Sequence, residues 1–508
     1  MAPKPLDANE QAHILIARFL SHQNYTATLS SFLSESTSAN PQLRLSSNTH
    51  RDGQGEDWND LVEDWIARKV SRIKLQDQDS KLEEELKNLE SSSSNIFDQQ
   101  RLPSRVKTVV KEATNVLNVK QGVLPRKEWD AIKLEFRDVK CIVTTTVDRT
   151  LKVWSFPTRS SCSRNPLELL ESHSFPSPVL SFVQHPDSQY KRFVACATME
   201  GSLHVLDLVT RDKVVKIKDH NKYIVKVVWS PDGRYLATIG YDKLIHVYST
   251  AITPSESDTD SPTISVSLIH TLHPRTNPEA AVFLPSSTHL VWTARDDHLL
   301  HYLSLPSSSS SSSTTSTTAW EMTEYNLNPN LDHFTSFSIL SLSIHPTLPL
   351  LSLQTSTNSS RIFLYPFHSN TRIKTLHTNC QQSDYFNPRH GWNRTGTGLV
   401  VNSEDGFVRF WSLGGGRDGE GVERIKKGCH GIAAPLGDDE EDEEKLGGEE
   451  TAETEELKSE RARARRERDR GSSVVRDVEI VELEDDQGEE AGWAILSAGF
   501  DKTLRMII

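Results

Sequence analysis

An acidic residue followed six positions later by an aromatic residue recurs along this 508-residue chain and limits the folds open to it. The clearest copies begin at Asp148, which precedes Trp154, and at Asp405, which precedes Trp411. A unit that cannot bury its apolar face alone stacks on its neighbours, so seven such copies predict one array with a continuous core. The degenerate copies run from Glu200 to Leu206, Asp242 to Tyr248, Asp296 to Tyr302, Ser359 to Tyr365 and Asp501 to Ile507.

Short hydrophobic–x–Pro turns lie 11 to 14 residues before the acid position in four of the copies, at Pro186, Pro231, Pro285 and Pro346. Together with the acid–aromatic pairs, this pattern resembles the WD40 repeat, in which ~40–45 residues form the four strands of a propeller blade. The resemblance implies a mainly β fold. It places a seven-bladed WD40-type β-propeller over residues 105–508 and makes Lys213–Ser249 the best single repeat.

The same resemblance implies a hydrogen-bonded set of His220, Asp242 and Tyr248, with the tyrosine in place of a tryptophan. An Asp–His pair near a hydroxyl could suggest a catalytic triad, but we interpret it as structural, because the two groups would satisfy each other and tie the turns of a blade together. The chain has no Gly-x-Ser-x-Gly, P-loop or His-Glu-x-x-His motif, so we expect no enzyme activity and no cofactor. The other structural repeat positions are Asp148, Trp154, Asp296, Tyr302, Asp405, Trp411 and Asp501.

The last copy ends at Ile507, so the seventh blade lacks a fourth strand of its own. All-β folds avoid unpaired strand edges, and propellers leave only short, protected ones. Residues 105–111 and 114–119 alternate in part between apolar and polar side chains. We therefore expect one of these two segments to pair beside residues 502–507 and complete the blade.

The first forty residues carry two short apolar stripes typical of amphipathic helices. Two helices this short cannot bury both stripes alone. The pattern resembles the LisH (lissencephaly-homology) motif over residues 1–40, with Asn24 in place of the usual glycine, and the resemblance implies homodimerisation. The residues expected to meet their copies are Leu15, Ile16, Phe19, Leu20, Tyr25, Leu29 and Phe32.

A heptad register from Trp58 to Leu89, with seven of its ten a and d positions apolar, predicts a short helical coiled coil over residues 57–90. Ser91–Ser94 and Pro103 indicate a linker over residues 91–104. The order of LisH motif, coil and propeller resembles the nuclear-distribution (lissencephaly) proteins that regulate cytoplasmic dynein. Other chains with LisH and WD40 segments are co-repressor, splicing or ubiquitin-ligase subunits.

The charge of the chain is concentrated in one segment. The formal net charge is −13, and residues 438–490 hold 23 acidic and 9 basic residues, a net of −14. We expect residues 434–473 to form an acidic insertion, and residues 251–263 and 304–318 to form low-complexity loops. Residues 461–470 are rich in arginine, which fits either a nuclear import signal or a self-neutralising helix, and the acidic surroundings disfavour nucleic acid as a partner.

Five scattered cysteines predict neither a disulfide framework nor a zinc site, and no apolar run reaches 18 residues. Three functional hypotheses remain. The first is a dimeric cytoplasmic scaffold of the dynein–microtubule type that binds proteins through its propeller. The second is a nuclear adaptor, and the third is an enzyme with an unrecognised site.

Overall fold

Seven antiparallel β-sheets form the body of the protein in the computed structural model. Each inner strand contacts the inner strands of the two adjacent sheets, and the inner strand of the first sheet contacts that of the last, so the sheets close into a seven-bladed propeller. The structure describes residues 16, 20, 25–39, 78–91, 106–130, 135–157, 167–253, 262–306, 320–328, 337–357, 360–378, 380, 382–383, 386–413, 423–424, 431–432, 474–484 and 490–507.

The first three blades are each built from four strands that are consecutive in the sequence. Blade 1 contains β2 (Val116–Asp130), β3 (Glu135–Thr146), β4 (Thr150–Ser155) and β5 (Leu169–Ser174). Blade 2 contains β6 (Val179–Gln184), β7 (Phe193–Thr198), β8 (Leu203–Asp207) and β9 (Lys213–Ile217). Blade 3 contains β10 (Ile224–Trp229), β11 (Tyr235–Gly240), β12 (Leu244–Thr253) and β13 (Thr263–Leu272).

Blades 4 to 6 continue this order, and a short strand adds to blade 6 in parallel with its third strand. Blade 4 contains β14 (Pro278–Phe283), β15 (His289–Ala294), β16 (Leu299–Ser304) and β17 (Met322–Asn326). Blade 5 contains β18 (Ile339–Ile344), β19 (Leu350–Thr355), β20 (Arg361–Pro366) and β21 (Lys374–His377). Blade 6 contains β22 (His390–Trp392), β23 (Gly398–Asn402), β24 (Phe407–Ser412), β25 (Glu423–Arg424) and β26 (Gly431–Ile432).

Blade 7 is completed by a strand from the other end of the chain. Its sheet order is β1 (Val106–Lys111), β29 (Thr503–Ile507), β28 (Glu490–Gly499) and β27 (Val475–Glu484). Val106 pairs with Ile507 and Lys111 with Thr503 in an antiparallel register. The predicted closure is therefore confirmed for the first of the two candidate segments, whereas the second forms the start of inner strand β2.

The core of the propeller lies between the blades. Both faces of these strands are covered by a neighbouring sheet, which is why β7 and β19 have all six residues buried. Seven apolar clusters fill the seven interfaces, and the cluster between blades 4 and 5 includes Tyr302 and Tyr365.

The described residues of the N-terminal region are helical apart from Tyr25. The chain divides into two compact units, Met1–Lys81 and Leu82–Ile508. In the first unit, α1 (Thr26–Ala39) follows Tyr25, and residues 16 and 20 are also helical. Tyr25 is 54% exposed, Ile16 is 39% exposed, and Leu20 and Phe32 are half-buried. Leu15 and Phe19 lie outside the described residues, as does the side chain of Leu29.

Residues 78–91 form a second helix, α2, whose part from Leu82 onward belongs to the second unit. Leu86 is 2% exposed and packs with Leu82 and Leu89 on the apolar surface that blades 5 and 6 share. Glu90 forms an ion pair with Lys374 of β21. These three leucines are a and d positions of the predicted coiled coil, but within this chain they pack against the propeller rather than against a second helix.

The predicted loops are shorter than the sequence suggested where the structure describes them. β12 extends to Thr253 and β13 begins at Thr263, so residues 251–253 and 263 are strand residues. Ser304 ends β16. The acidic insertion at residues 434–473, and the linker at 91–104 apart from Ser91, lie outside the described residues.

Candidate functional site

The turn between β11 and β12 is held by a hydrogen-bonded set. Asp242 in this turn accepts hydrogen bonds from His220 Nδ1 at 3.0 Å and from the backbone N–H of Asn221 at 2.8 Å. His220 Nε2 lies 2.8 Å from the Thr238 hydroxyl. Burial alone would raise the pKa of Asp242, but the hydrogen bonds from His220 and Asn221 lower it below its usual value. The pair therefore ties the start of blade 3 to its turn and leaves no free base for chemistry.

Tyr248 is linked to this set through Thr238. It is 1% exposed, its hydroxyl donates to Asp219 at 3.1 Å, and it also forms a side-chain hydrogen bond with Thr238. The indole N–H of Trp154 in blade 1 likewise donates to the hydroxyl of a threonine, Thr144, at 2.8 Å. Thr144 and Thr238 each lie four residues before the acid of their blade. Sequence reasoning missed both threonines, although this constant offset could have identified them.

The acids of blades 6 and 7 pair with a cation four residues later instead of with an upstream histidine. Asp405 Oδ2 lies 2.7 Å from Arg409 Nη2, and Asp501 Oδ2 lies 2.8 Å from Arg505 Nη2. Asp148 in blade 1 instead accepts hydrogen bonds from threonine hydroxyls of its own turn. In all three blades the carboxylate is occupied within the turn, which makes these positions structural.

Blade 4 differs from the sequence prediction by one residue. Asp297, not Asp296, forms the ion pair, with its Oδ2 2.8 Å from His301 Nε2. The turn between β15 and β16 spans residues 295–298, one residue more than the turn of blade 3 at 241–243. The extra residue is Asp296, which has a φ of 55°. Aspartate tolerates this left-handed conformation better than most residues do. The six-residue spacing to Tyr302 therefore placed the acid one position too early.

Exposed apolar side chains recur on these turns at the position immediately before the acid. Val147 in blade 1 is 44% exposed, Met199 in blade 2 is 56% exposed, and Phe500 in blade 7 is 42% exposed. Tyr241 holds the position in blade 3, where its ring stacks on Tyr223 with the centroids 4.7 Å apart. Blades 7, 1, 2 and 3 are consecutive around the ring, so these five side chains lie along one side of the same face. We call them the apolar arc.

The same position is polar on the other side of this face. Asp296 holds this position in blade 4, next to Arg295, which donates to Glu279 Oε1 at 2.6 Å. Glu404 holds it in blade 6 and accepts from the backbone N–H and the hydroxyl of Ser383. The apolar character is thus confined to four adjacent blades. An exposed apolar patch that is bordered by polar residues typically marks a contact with another macromolecule.

The inner strands surround a charged cavity of about 150 Å³. Lys120, Lys226 and Arg389 line it, and Asp477 lies among them. Lys120 Nζ is 2.5 Å from Glu479 Oε2. The carboxylate of Asp477 accepts from the backbone N–H groups of Val119 and Val478 and lies 3.9 Å from Arg389 Nε.

Lys226 differs from the other charged residues of the cavity. It forms no ion pair or side-chain hydrogen bond with any residue in the described part of the chain. Burial, and then the neighbouring cations Arg389 and Lys120, lower the pKa of Lys226 to about 7. Burial and the charge of Lys226 together lower the pKa of His390 to about 3, so this histidine is a neutral hydrogen-bonding group.

The described residues contain no cluster of three or more His, Cys, Asp or Glu that could hold a metal ion. Cys380 is buried, and His390 lies within hydrogen-bond distance of Ser352 and Gln354. Burial also raises the pKa of the Cys141 thiol to about 12, which leaves it unreactive. None of the helices in the described ranges is both long and apolar enough to cross a membrane.

Comparison with known proteins identifies the repeat. The family model described as WD domain, G-beta repeat matches residues 211–249, which contain His220, Asp242 and most of blade 3. The chain therefore contains a WD40 repeat. The matched residues include the best repeat predicted from the sequence, whereas the other six blades rest on their strand topology.

The curated relatives are similar to this chain over short segments. A chromatin assembly factor 1 subunit of Gallus gallus is 28% identical over 87 residues, covering 15% of this chain and 15% of that protein. Echinoderm microtubule-associated protein-like 2 is 33% identical over 102 residues in Rattus norvegicus and 35% identical over 107 residues in Homo sapiens, covering 20% and 21% of this chain and 14% and 15% of those proteins. The matches thus span about one seventh of each relative.

Proposed function

We propose that this protein is a non-catalytic adaptor whose propeller binds a protein partner through the apolar arc. The observation that carries the proposal is the exposure of Val147, Met199 and Phe500 at one repeated turn position in adjacent blades. Apolar surface that stays exposed in the folded chain gains about 25 cal/mol per Å² when a partner covers it. The carboxylates beneath these residues are occupied within the turns, so the surface offers apolar contact rather than acid–base chemistry.

Affinity purification of tagged full-length protein, followed by mass spectrometry, tests this proposal. Replacing both Met199 and Phe500 by serine should remove the specific partners, because interface energy concentrates in a few apolar anchors. Val209 is 50% exposed in the turn between β8 and β9, at the opposite end of its blade, so Val209→Ser is the matched control. Loss of the same partners in the control, or their retention in the double variant, would contradict the proposal.

We further propose that the N-terminal LisH-like segment makes the adaptor a homodimer. The exposure of Tyr25 and Ile16 within the first unit supports this, because both belong to the apolar stripes that the short helices cannot cover alone. Phe32→Asp should convert the dimer to a monomer in light scattering, whereas Ser30→Asp, at an exposed position of the same helix, should not. A parent protein that is already monomeric at micromolar concentration would rule the dimer out.

Two cellular settings are consistent with an adaptor of this kind. The resemblance to dynein regulators and the match to proteins named as microtubule-associated support a cytoplasmic scaffold. The match to a protein named as part of a chromatin assembly factor supports a nuclear adaptor. We favour the cytoplasmic setting because the domain order supports it, and imaging of a tagged copy along microtubules or in the nucleus distinguishes the two.

A further inference from the structure

The cavity at the centre of the propeller contains more positive charge than its own acids neutralise. Four cations lie in or beside it: Lys120, Lys226, Arg389 and Arg476. Two acids, Asp477 and Glu479, share the inner strand of blade 7. A further lining acid, Glu279, is already paired with Arg295 at 2.6 Å.

The two acids are occupied by other groups. Glu479 is bound by Lys120, and its other oxygen accepts from the backbone N–H of Gln121. Both oxygens of Asp477 accept from backbone N–H groups. Lys226 and Arg476 consequently have no ion pair and no side-chain hydrogen bond within the described ranges. Leaving a cation half-buried and unpaired is unfavourable unless a mobile or bound anion compensates it.

Neutral donors line the same cavity as Lys226. The hydroxyls of Ser341 and Ser343 and the amide of Asn387 line the cavity, and none of these side chains forms a hydrogen bond with a residue that the structure describes. The cavity therefore combines positive charge with N–H and O–H donors that the described residues leave unused. Tetrahedral oxyanions are recognised by this combination of charge and hydrogen bonding.

We propose that this cavity binds a phosphate-sized oxyanion, with Lys226 as its principal charged ligand and Arg389, Ser341 and Ser343 beside it. The volume of about 150 Å³ is sufficient for a phosphoryl group. Burial and the neighbouring cations lower the pKa of Lys226, and a bound anion would favour its charged form. The inference does not depend on the partner proposed for the apolar arc.

The position of Lys226 within its blade explains why its side chain is not bonded within the fold. It follows a bulge two residues into β10, and the corresponding residues of other inner strands are Asn118, Ser181, Ser341 and Asp477. Asn118, Ser181 and Asp477 bond to the backbone of the neighbouring blade. Lys226 makes no such bond, so its side chain is available to a ligand.

Isothermal titration of the full-length protein with inorganic phosphate tests the proposal, with phenyl phosphate and pyrophosphate as separate titrants at matched ionic strength. Free phosphate should bind saturably, and phenyl phosphate binding equally well would show that the source is a phosphate monoester. Lys226→Met should weaken binding about tenfold or more, since one charged hydrogen bond is lost, whereas Lys226→Arg should largely retain it. Lys222→Met removes an exposed cation from the same blade and should leave binding unchanged.

A second measurement separates a binding role from a structural one. Without phosphate, Lys226→Met should unfold at a higher temperature than the parent, because an uncompensated charge has been removed. With saturating phosphate the parent should gain stability and the variant should not. Absence of saturable binding to the parent, or equal binding by parent and Lys226→Met, would overturn the proposal. If Lys226→Met does not fold, Arg476→Gln provides the same comparison.

Discussion

Blade 3 and blade 6 reach the same topology in different ways. Blade 3 is self-contained, with four full strands between Ile224 and Leu272 and a complete hydrogen-bonded turn. Blade 6 has an inner strand of three residues and an outer strand of two, and α2 covers the apolar surface that it shares with blade 5. Blade 6 nevertheless keeps the acid–tryptophan pair of Asp405 and Trp411. The acid–tryptophan motif therefore indicates a turn and the third strand of a blade. It does not indicate whether the other strands of that blade are complete.

Blade 7 extends this contrast, since its fourth strand, β1, comes from near the start of the chain. Both C-terminal blades thus depend on segments that precede the first repeat. Substitutions in β1 and α2 test whether these segments also contribute to the free energy of unfolding.

The largest effect is expected from Val109→Asp in β1. Val109 is 2% exposed and packs in the cluster that contains Leu504 and Met506. Burying an unpaired carboxylate belongs to the few changes that cost about 4 kcal/mol or more. Chemical denaturation should show this loss in the free energy of unfolding. Lys111→Asp, at the exposed end of the same strand, is the control, and equal stability of the two variants would show that β1 does not close the ring.

Leu86→Ala should cost about 3 kcal/mol, within the range for a buried leucine that leaves a cavity. Leu86 is 2% exposed on blades 5 and 6, whereas Glu85 next to it is exposed and serves as the control when replaced by alanine. The measurement is again the free energy of unfolding. An unchanged value together with a weaker dimer in light scattering would instead assign Leu86 to the predicted coiled coil.

Much of the propeller was predictable because its signals are local in sequence. The acid–aromatic spacing located seven blades, and the missing last strand located β1. The error at Asp296 arose because one extra turn residue moved the ion pair to Asp297, and spacing alone does not show which of two adjacent acids faces His301. The packing of Leu86 against the propeller was not predicted. A heptad pattern shows that a helix has an apolar side, but it does not show which part of the molecule covers that side.

The candidate sites were hidden for a different reason. The apolar arc and the cavity each collect one or two residues from several blades, and no single repeat shows the set. Aligning the residue before each turn acid would have revealed Val147, Met199, Tyr241 and Phe500. Lys226 has no comparable signal, since its importance comes from the absence of a partner in three dimensions.

Asp242→Asn should destabilise blade 3 by about 2 kcal/mol, because the hydrogen bonds of a charged acceptor are worth about 1.5–3 kcal/mol. The pKa of Asp242 is lower in the folded chain than the usual ~3.9, so its contribution is present above about pH 4 and is lost as the pH falls through the folded pKa. The difference in unfolding free energy between parent and variant should therefore shrink between about pH 5 and pH 2. A difference that does not change with pH would show that the charge of Asp242 is not involved.

The smallest effect is expected from a comparison of Trp154 and Trp411, the two tryptophans of the repeat motif. Trp154 donates its indole N–H to Thr144, whereas the buried N–H of Trp411 has no hydrogen-bond partner among the residues that the structure describes. Both side chains are almost fully buried, at 8% and 5% exposed, so replacement by phenylalanine removes similar apolar area from each.

Trp154→Phe should consequently cost about 1 kcal/mol more than Trp411→Phe, which is the net value of one hydrogen bond plus the penalty of leaving Thr144 unpaired. Adding Thr144→Val to each variant completes the test. The threonine change should have little further effect beside Trp154→Phe, because the bond is already broken, and its full effect beside Trp411→Phe. Equal losses of unfolding free energy for Trp154→Phe and Trp411→Phe would mean that the shape of tryptophan, and not its hydrogen bond, accounts for its presence at this position. The difference between the blades would then lie in strand length and not in hydrogen bonding.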